Sequence, residues 1–456
     1  MKPSQPTAAA SVLVRIPHPS ANTVATALAH AFLAAGDWSK PALTAAGADI
    51  LGARRRWLGP LASHVLGNYH RPPSDAPREL AAVVLACPAF GEALAKAATQ
   101  RRPIKLAHLA VAPAAARAAR VPRLDTVAEL AGALRLSPGE LEWFADPRHW
   151  NRTAGPRLQH YRYQWRSRPG KVPRLLEIPQ PRLRTLQRTV LRELLAPIPL
   201  HDAAHGFVPG RSAVSGAALH TGADVVVSLD LAAFFAHVTP GKVFGVLRQA
   251  GFTEAVAHRL TGLCTHAVPV GVLAEMPPGG DPASRFALRQ ALAVAHLPQG
   301  APTSPMLANL ALRRLDSRLS GWAGAFDAVY SRYADDLAFS GGTELARRAD
   351  AFIRGAGRIV ADEGHSLNGL KTRVHKAGVR QTVTGVVVNE RTNIARAEFD
   401  QLKAAVHNCA AHGPEGQNRG GHPDFRAHLL GRIAWVSSVH LARGARLRAV
   451  FDEIGW

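Results

Sequence analysis

Two adjacent carboxylates between short apolar segments constrain the fold of this chain more than any other feature. Asp335 and Asp336 stand in the run 331–340, whose flanking residues favour β-strands. The run therefore predicts a hairpin with both acids at its turn. Adjacent like charges repel each other, and a turn that keeps both commonly offers them to a cation. A solvated loop would show the same pair, so this signal needs a second element.

A third carboxylate ends a separate apolar run. Residues 225–231 predict a buried strand, and Asp230 falls at its C-terminal end. If this strand lies beside the hairpin, Asp230 joins Asp335 and Asp336 in one cluster. Three carboxylates suit two Mg²⁺ ions, which complete their coordination with water and phosphate oxygens. Two ions roughly 3.5–4 Å apart can stabilise the attacking and leaving oxygens of a phosphoryl displacement, so the pattern indicates nucleotidyl transfer.

The charge balance favours a polyanionic partner. The 456 residues carry a formal net charge of +22, and such a surplus attracts nucleic acid. A basic protein from a genome that favours Arg codons would have a similar composition. Residues 160–168 interleave Arg with Tyr and Trp, a mix that offers phosphate contacts and stacking faces. A partly buried strand can have the same pattern.

Length, cysteines and hydropathy limit the remaining classes. The chain is long enough for two or three domains. Cys87, Cys264 and Cys409 are far apart and lack zinc spacing, which disfavours a disulfide framework or structural zinc and favours a reducing cytoplasm. We find no signal-peptide pattern and no stretch of about 20 apolar residues. We therefore expect a cytoplasmic protein with no membrane partner.

Seven sequence blocks resemble, in order, the conserved blocks of bacterial reverse transcriptases, and most closely those of the retron reverse transcriptases. The resemblance covers about residues 160–456 and implies an α+β fold with the right-hand polymerase architecture of fingers, palm and thumb. One departure is Gly216, where retron enzymes commonly have the Asn of an Asn-Ala-x-x-His motif, although Ala217 and His220 are present. The blocks are 173–179 with Leu183 and Gln187, 205–212, 230–235, 297–305, 333–336, 366–373 and 383–389.

The resemblance implies that Asp230, Asp335 and Asp336 are the catalytic carboxylates. Together with the adjacent Leu231 they would bind two Mg²⁺ ions. The implied reaction is attack of a primer hydroxyl on the α-phosphate of a dNTP, with release of pyrophosphate.

The resemblance also implies four nucleotide-binding residues. Arg174 would grip the triphosphate, and Lys371 would neutralise or protonate the pyrophosphate leaving group. Phe235 would pack under the sugar and exclude a 2′-hydroxyl, and Gln299 would line the nucleotide or template pocket. The alternatives are a core aromatic for Phe235 and a turn-stabilising amide for Gln299. A second basic residue would assist Arg174, and the spacing leaves open which of three does so: Arg166, Arg168 or Lys171.

Three further arginines are candidates for contacts with nucleic acid. Arg211 lies in the glycine-containing block 205–212 and would contact template or nucleotide, unless the block is a plain loop. Arg432 and Arg443 lie on the basic side of the predicted thumb. A thumb must hold an RNA-containing duplex mainly by backbone and shape, although a solvated helix face would carry the same residues.

The sequence predicts three regions: an α-helical N-terminal extension over 1–145, fingers and palm over 146–390, and a thumb over 391–456. Capping-box patterns at Thr126 and Ser137 predict two short helices, either a packing pair or part of a helix-turn-helix. Within 266–296, a Pro/Gly cluster predicts a flexible loop followed by a helix, to which we assign no role. The apolar stripe predicts one helix over 304–319, and 425–454 predicts a last helical region.

The family implies a dedicated non-coding RNA as template, with a 2′-hydroxyl of that RNA as first primer. The product would be a short single-stranded DNA covalently linked to RNA, held as an RNA–DNA hybrid. A role in phage defence follows, with an effector protein encoded nearby. One alternative is a group II intron-type reverse transcriptase or maturase, for whose usual further domain we expect no room before Trp456. The other is a non-catalytic RNA-binding scaffold, which the three carboxylates, Gln299 and Lys371 disfavour.

Overall fold

The computed structural model describes residues 19–73, 77–100, 102–107, 121–147, 150–155 and 157–456. Its residues form two compact units. The first takes the chain up to Trp143 together with Leu247–Leu260, and the second comprises Phe144–Val246 and Thr261–Trp456. The predicted N-terminal extension also includes 1–18, 74–76, 101 and 108–120, which lie outside the described residues.

The described residues of the first unit are mainly helical. The helices between Ala21 and Thr99 pack around a core that includes Leu28, Phe32 and Phe90. Both predicted capping boxes are present: Glu129 N–H donates to Thr126 Oγ1, and Glu140 N–H donates to Ser137 Oγ. The helices are α1 (Ala21–Ala34), α2 (Lys40–Leu51), α3 (Leu58–Asn68), α4 (Pro77–Ala86), α5 (Pro88–Thr99), α6 (Val127–Ala133) and α7 (Pro138–Ala145), the last ending in the second unit.

Within the described ranges, no single helix is long and apolar enough to cross a bilayer. Helices α4 and α5, bent by 70° at their junction, satisfy length and composition only when they are taken together.

The second unit contains a four-stranded antiparallel sheet. Its strands are β3 (Val225–Asp230), β4 (Val329–Tyr333), β5 (Asp336–Gly341) and β6 (Arg373–Lys376), in the order β4-β5-β3-β6. Strand β3 is almost wholly buried because its apolar residues meet neighbours on both sides. Two separate hairpins accompany the sheet: β1 (Tyr161–Arg168) with β2 (Lys171–Pro179), and β7 (Thr382–Val383) with β8 (Val386–Val387).

Further α-helices follow along the chain, and residues Leu247–Leu260 of two of them belong to the first unit. The C-terminal three pack on one another through a separate apolar cluster that includes Leu402, Ile433 and Phe451. The α-helices are α8 (Pro181–Thr189), which continues as a π-helix to Leu195, α9 (Ala213–Ala218), α10 (Pro240–Gln249), α11 (Glu254–Cys264), α12 (Val270–Ala274), α13 (Pro282–Ala293), α14 (Ser304–Ala311), α15 (Arg313–Gly324), α16 (Thr343–Arg347), α17 (Ala349–Asp362), α18 (Arg396–His412), α19 (Phe425–Val439) and α20 (Leu441–Asp452); short 3₁₀ turns lie at Trp150–Arg152, Phe234–His237, Gly369–Lys371 and Glu415–Gln417.

The helix predicted over 304–319 is interrupted at Leu312, which separates α14 from α15. The helical region predicted over 425–454 consists of two helices that meet at His440, where φ is −146°. Apolar periodicity reports which face of a helix is buried. It does not register a break of one residue, which explains why the break at Leu312 was not predicted.

The Pro/Gly cluster predicted to be a flexible loop packs against the β1–β2 hairpin instead. Gly279 and Gly280 have φ of 137° and 73°. A Cβ on Gly279 would lie 2.7 Å from the Lys171 carbonyl oxygen, and one on Gly280 would lie 2.5 Å from Val172 Cγ2. Glycine at both positions therefore allows two backbones to approach closely. The helix predicted after the cluster is confirmed as α13.

A buried ion pair joins α15 to β4. The Arg332 guanidinium donates to both carboxylate oxygens of Asp316, at 2.8 and 2.7 Å, and both side chains are fully buried. Tyr330 donates its hydroxyl to the same carboxylate, and Arg332 Nη1 donates to Asn309 Oδ1 at 2.9 Å. Because every partner is satisfied, the pair tolerates burial that an isolated charge would not.

Removing one charge of this pair should be strongly destabilising. We expect Asp316→Asn to lower the free energy of unfolding by about 3–5 kcal/mol, because Arg332 is left charged and buried. The shift in urea midpoint, followed by circular dichroism, measures this. Asp362→Asn is the matched control: it breaks the exposed Arg318–Asp362 pair and should change stability by less than about 1 kcal/mol. Equal losses for the two variants would contradict the assignment.

Candidate active site

The sheet brings the three predicted catalytic carboxylates together. Strand β3 lies beside β5, and Asp230 is the direct partner of Asp336 in the register. Asp335 occupies the turn between β4 and β5, and its carbonyl oxygen accepts from Leu231 N–H at 2.9 Å. The predicted juxtaposition of strand and hairpin is therefore confirmed, whereas the roles of the side chains stay predictions.

The turn that carries Asp335 is held by contacts of Ala334 with Arg332 and Gly206. Ala334 has a φ of 55°, in the left-handed region where a residue with a Cβ is uncommon. Arg332 Nη1 donates to the Ala334 carbonyl oxygen at 3.2 Å, so the buried ion pair extends to the turn. Gly206 lies against the other side, because a Cβ there would be 2.6 Å from Ala334 N.

The electrostatics of the cluster disfavour full ionisation. Partial burial, then the charges of Asp335 and Asp230, raise the pKa of Asp336 to about 6. Burial and Asp230 also raise the pKa of Asp335, while the nearby cations Lys371 and Arg174 lower it. Burial and mutual repulsion both disfavour the ionised carboxylates, and a divalent cation would favour them.

A lysine already compensates part of this charge. Lys371 Nζ lies 2.5 Å from Asp230 Oδ2. Within the described ranges, no set of three or more His, Cys, Asp or Glu side chains is arranged to hold a metal ion as it stands. The oxygen donors fit Mg²⁺ in chemistry, and Asp230 would have to exchange Lys371 for the metal.

Two arginines oppose each other on the β1–β2 hairpin. Arg166 is the direct cross-strand partner of Arg174, and both side chains are exposed. Like charges directly opposite each other are destabilising in a sheet, whereas an anion between them would reverse the sign. Of the three residues that could assist Arg174, Arg166 is the one that this register places beside it.

Phe235 is placed by an unusual backbone turn after β3. Ala233 has a φ of 45°, and the 3₁₀ segment begins at Phe234. Phe234 is 5% exposed and is a core residue. Phe235 is half-buried and meets the Phe234 ring edge-on at 4.9 Å, which leaves part of its surface available to a ligand.

Gln299 is held by a buried carboxylate that the sequence did not reveal. Glu177 donates its N–H to the Gln299 carbonyl oxygen at 2.9 Å, and Glu177 Oε1 accepts from Gln299 N–H at 3.3 Å. His296 Nε2 lies 3.0 Å from the same oxygen, and both side chains are buried. Gly300 completes the contact, since a Cβ there would be 2.7 Å from the Glu177 carbonyl oxygen. No local pattern marks Glu177 as buried, because its partners lie about 120 residues away.

The three other predicted arginines have partners within the chain. Arg211 donates to the carbonyl oxygens of Asp202 and Ala204 at 2.5 and 2.8 Å. Arg443 donates to Asn393 Oδ1 at 3.1 Å and lies over a Phe ring. Arg432 Nη2 lies 3.5 Å from the Glu398 carbonyl oxygen. Their contacts with nucleic acid stay predictions.

Comparison of the chain with known proteins gives a class of protein that agrees with this fold and site. Residues 167–388 match the family model described as reverse transcriptase (RNA-dependent DNA polymerase). The chain is also similar to three retron enzymes. Identity is 39% over 333 residues to the retron Mx65 reverse transcriptase of Myxococcus xanthus, covering 72% of this chain and 71% of the relative.

The retron Mx162 reverse transcriptase of Myxococcus xanthus is 35% identical, covering 74% of this chain and 69% of the relative. The retron Ec86 reverse transcriptase of Escherichia coli is 29% identical, covering 63% and 78%. The chain therefore belongs to the retron reverse transcriptases. It is an RNA-directed DNA polymerase with the reverse transcriptase polymerase fold.

Replacing Asp336 with Asn should stabilise the fold in a pH-dependent way. The pKa of Asp336 is raised to about 6, whereas an unfolded Asp has a pKa of about 3.9. The native state therefore loses stability as pH rises through this window. In EDTA we expect Asp336→Asn to be more stable than wild type at pH 8, by about 1 kcal/mol, since solvent screens this accessible side chain.

Urea unfolding at several pH values measures this difference. The gain should vanish below about pH 4, where both states of wild type are protonated. A gain of the same size at pH 4 and pH 8 would show better packing of the amide and would contradict relief of charge repulsion.

Proposed function

We propose that this enzyme copies a dedicated non-coding RNA into a short single-stranded DNA that stays covalently linked to RNA, in the service of phage defence. The observation that carries the proposal is the meeting of Asp230, Asp335 and Asp336 at one end of the β3–β5 pair. The retron relatives support the RNA-templated reaction. An effector protein encoded nearby would be a further partner, and the cytoplasm is the proposed compartment.

The proposed architecture is the right hand of a polymerase. The β1–β2 hairpin and its surroundings would form the fingers, and the four-stranded sheet would form the palm, together spanning 146–390. Helices α18–α20 would form a thumb over 391–456. Residues 1–145 would be an accessory extension that binds RNA or a protein partner.

The carboxylates would bind two Mg²⁺ ions, with Leu231 as an additional contact. When bound, the ions would activate the primer hydroxyl and neutralise charge on the phosphate oxygens. Lys371, which pairs with Asp230, would also face the departing pyrophosphate, where an ammonium stabilises developing negative charge or donates a proton.

The opposed arginines would bind the triphosphate of the incoming nucleotide. Arg174 and Arg166 share one face of the hairpin, and a triphosphate between them would convert repulsion into attraction. Arg174 is also close enough to Asp335 to oppose the rise in the pKa of that carboxyl. A triphosphate held by the two arginines would therefore lie beside the carboxylates. Gln299, held through its backbone by Glu177, would line the same pocket.

The duplex would lie against the basic helices. Arg432 in α19 and Arg443 in α20 would contact its phosphates, since an A-form duplex is held through backbone and shape. Arg211 would contribute to nucleic-acid binding by holding the shape of its loop, because its guanidinium donates to the carbonyl oxygens of Asp202 and Ala204.

The first test is purification of the protein from cells that carry its native locus, followed by RNase treatment and analysis of the bound nucleic acid. Wild type should hold a discrete short single-stranded DNA, and Asp335→Asn should hold none, because a carboxylate of the metal site is lost. Asp327→Asn is the matched control: Asp327 is exposed just before β4, at the opposite end of the strand from Asp335. If both wild type and Asp335→Asn hold RNA without DNA, the chain is an RNA-binding scaffold and the proposal fails.

The proposed role of Phe235 in excluding a 2′-hydroxyl makes a second prediction. Phe235→Ala should reduce the preference for dNTP over rNTP, measured as the ratio of kcat/KM values, by about tenfold or more, because a smaller side chain leaves space for the 2′-hydroxyl. Phe235→Tyr, which keeps the ring, should retain the preference. Equal loss of dNTP and rNTP incorporation by Phe235→Ala would instead indicate a core aromatic.

A further inference from the structure

A buried pair of ionisable side chains, Glu177 and His296, lies against the backbone of Gln299. Both side chains are 0% exposed, and the proposed reaction gives neither of them a chemical step. Glu177 Oε1 accepts from Gln299 N–H at 3.3 Å, and His296 Nε2 lies 3.0 Å from the same oxygen. Burying ionisable groups is costly unless they are paired and hydrogen-bonded. The position of this pair therefore requires an explanation.

The hydrogen bonds of the pair require one proton between its two side chains. His296 Nδ1 lies 2.7 Å from the Val294 carbonyl oxygen. A carbonyl oxygen only accepts, so Nδ1 carries a hydrogen. A hydrogen bond between Nε2 and Glu177 Oε1 then needs a second proton, either on the imidazole or on the carboxyl. Burial opposes the charged imidazole, but the carboxylate of Glu177 outweighs it and raises the pKa of His296.

The pair joins segments that are distant along the chain. Glu177 belongs to β2, three residues after Arg174, and His296 stands three residues before Gln299. His296 also exchanges two backbone hydrogen bonds of 2.9 Å with His266. The strand that carries Arg174 and the turn that carries Gln299 therefore share one buried anchor.

The titratable side chains beside the pair do not change protonation near neutral pH. Burial, and then the charge of His296, lowers the pKa of His266 to about 3, so this imidazole is neutral. Burial raises the pKa of both Tyr161 and Tyr163 above the usual range, so these hydroxyls stay protonated. As pH rises, the proton of the pair is lost before any of theirs.

We propose that Glu177 and His296 are positioning residues that fix Gln299, and with it the pocket for the incoming nucleotide, relative to Arg174. The proposal rests on the proposed function, because that function places Gln299 in the pocket. The pair does not touch the nucleotide and acts through the Gln299 backbone. Once the pair has lost its proton, a buried carboxylate without a cationic partner no longer holds the turn in one position. Since binding groups must be placed to within about 1 Å, nucleotide binding should then weaken.

Amide substitutions separate the two hydrogen bonds of His296. The amide nitrogen of Asn takes the place of Nδ1, whereas that of Gln takes the place of Nε2. His296→Asn therefore keeps a donor to Val294 and loses the donor to Glu177. The double variant Glu177→Gln/His296→Gln keeps a donor between the two side chains, and its neutral amides need no additional proton.

His30→Asn is the matched control. His30 is also buried, and its Nε2 lies 3.4 Å from Glu254 Oε2 within the first unit. This variant therefore disturbs another histidine–glutamate pair, one that has no contact with Gln299. It should match wild type in every readout of the reaction.

Extension of a labelled DNA primer on an RNA template by the full-length protein, with Mg²⁺, gives KM and kcat for dNTP. At pH 7, His296→Asn should raise the KM about tenfold, while kcat and the affinity for the primer–template duplex stay within about twofold of wild type. The double variant should restore the KM to within about twofold. This split between KM and kcat, with rescue, distinguishes positioning from a general loss of structure.

The pH profile gives an independent readout. A raised pKa means that the pair is complete at low pH and loses its proton as pH rises through that value. The ratio of the His296→Asn KM to the wild-type KM should therefore fall from about ten at pH 7 towards one at about pH 9.5. Over the same range the KM of the double variant should fall relative to wild type. Ratios remove the effects of pH on the carboxylates and the nucleotide, which all variants share.

A double-mutant cycle with Gln299→Ala tests whether the pair acts through Gln299. Gln299→Ala alone should raise the KM for dNTP. Adding His296→Asn should raise it little further, because the side chain that the pair positions is already absent.

Four results would overturn the proposal. They are an unchanged KM in a folded His296→Asn, a ratio of KM values that does not vary with pH, additive effects in the cycle, and loss of kcat and duplex affinity together with KM that the double variant does not rescue. In each case a wild-type protein that makes DNA leaves the proposed function intact. If Gln299→Ala leaves the KM unchanged, the placement of Gln299 in the pocket fails together with this inference. If wild type extends no primer, the proposed function itself fails.

Discussion

The buried pair of Arg332 and Asp316 is the interaction on which the active-site geometry depends. The guanidinium binds its carboxylate partner with two nitrogens and has a third directed at Asn309 and the Ala334 carbonyl oxygen. Helix α15, strand β4 and the turn before Asp335 are thereby joined through one planar group. Planar, bidentate recognition is geometrically specific, so the pair defines a position for the turn as well as contributing to stability.

The site contains two groups of like charge, each unfavourable alone. Three carboxylates meet at the end of the sheet, and two arginines oppose each other on the β1–β2 hairpin. Lys371 compensates the first group in part, through Asp230. In the proposed reaction, a nucleotide with its metal ions would bring both signs of charge and would neutralise both groups at once. The proposed site would therefore gain more from nucleotide and metal together than from either alone.

The sequence predicted those parts of the fold whose signal is local. A continuous apolar run marked β3, an acid pair between β-prone segments marked the hairpin, and capping boxes marked two helix starts. It did not predict Glu177 or the Arg332–Asp316 pair, because burial of a charge depends on partners that are distant along the chain or on another element. The left-handed backbone at Phe207 was also not predicted, because neighbouring residues impose it and the position is not a glycine.

The close contact between Gly279, Gly280 and the β1–β2 hairpin has a consequence for protein engineering. Trp165 Nε1 in β1 also donates to the Val272 carbonyl oxygen, so residues 266–296 and the hairpin share one interface. Neither part is an independent module. A chimera that imports the hairpin of a relative would have to import its matching 266–296 segment as well, and the two stretches should be inherited together as a single recombination block.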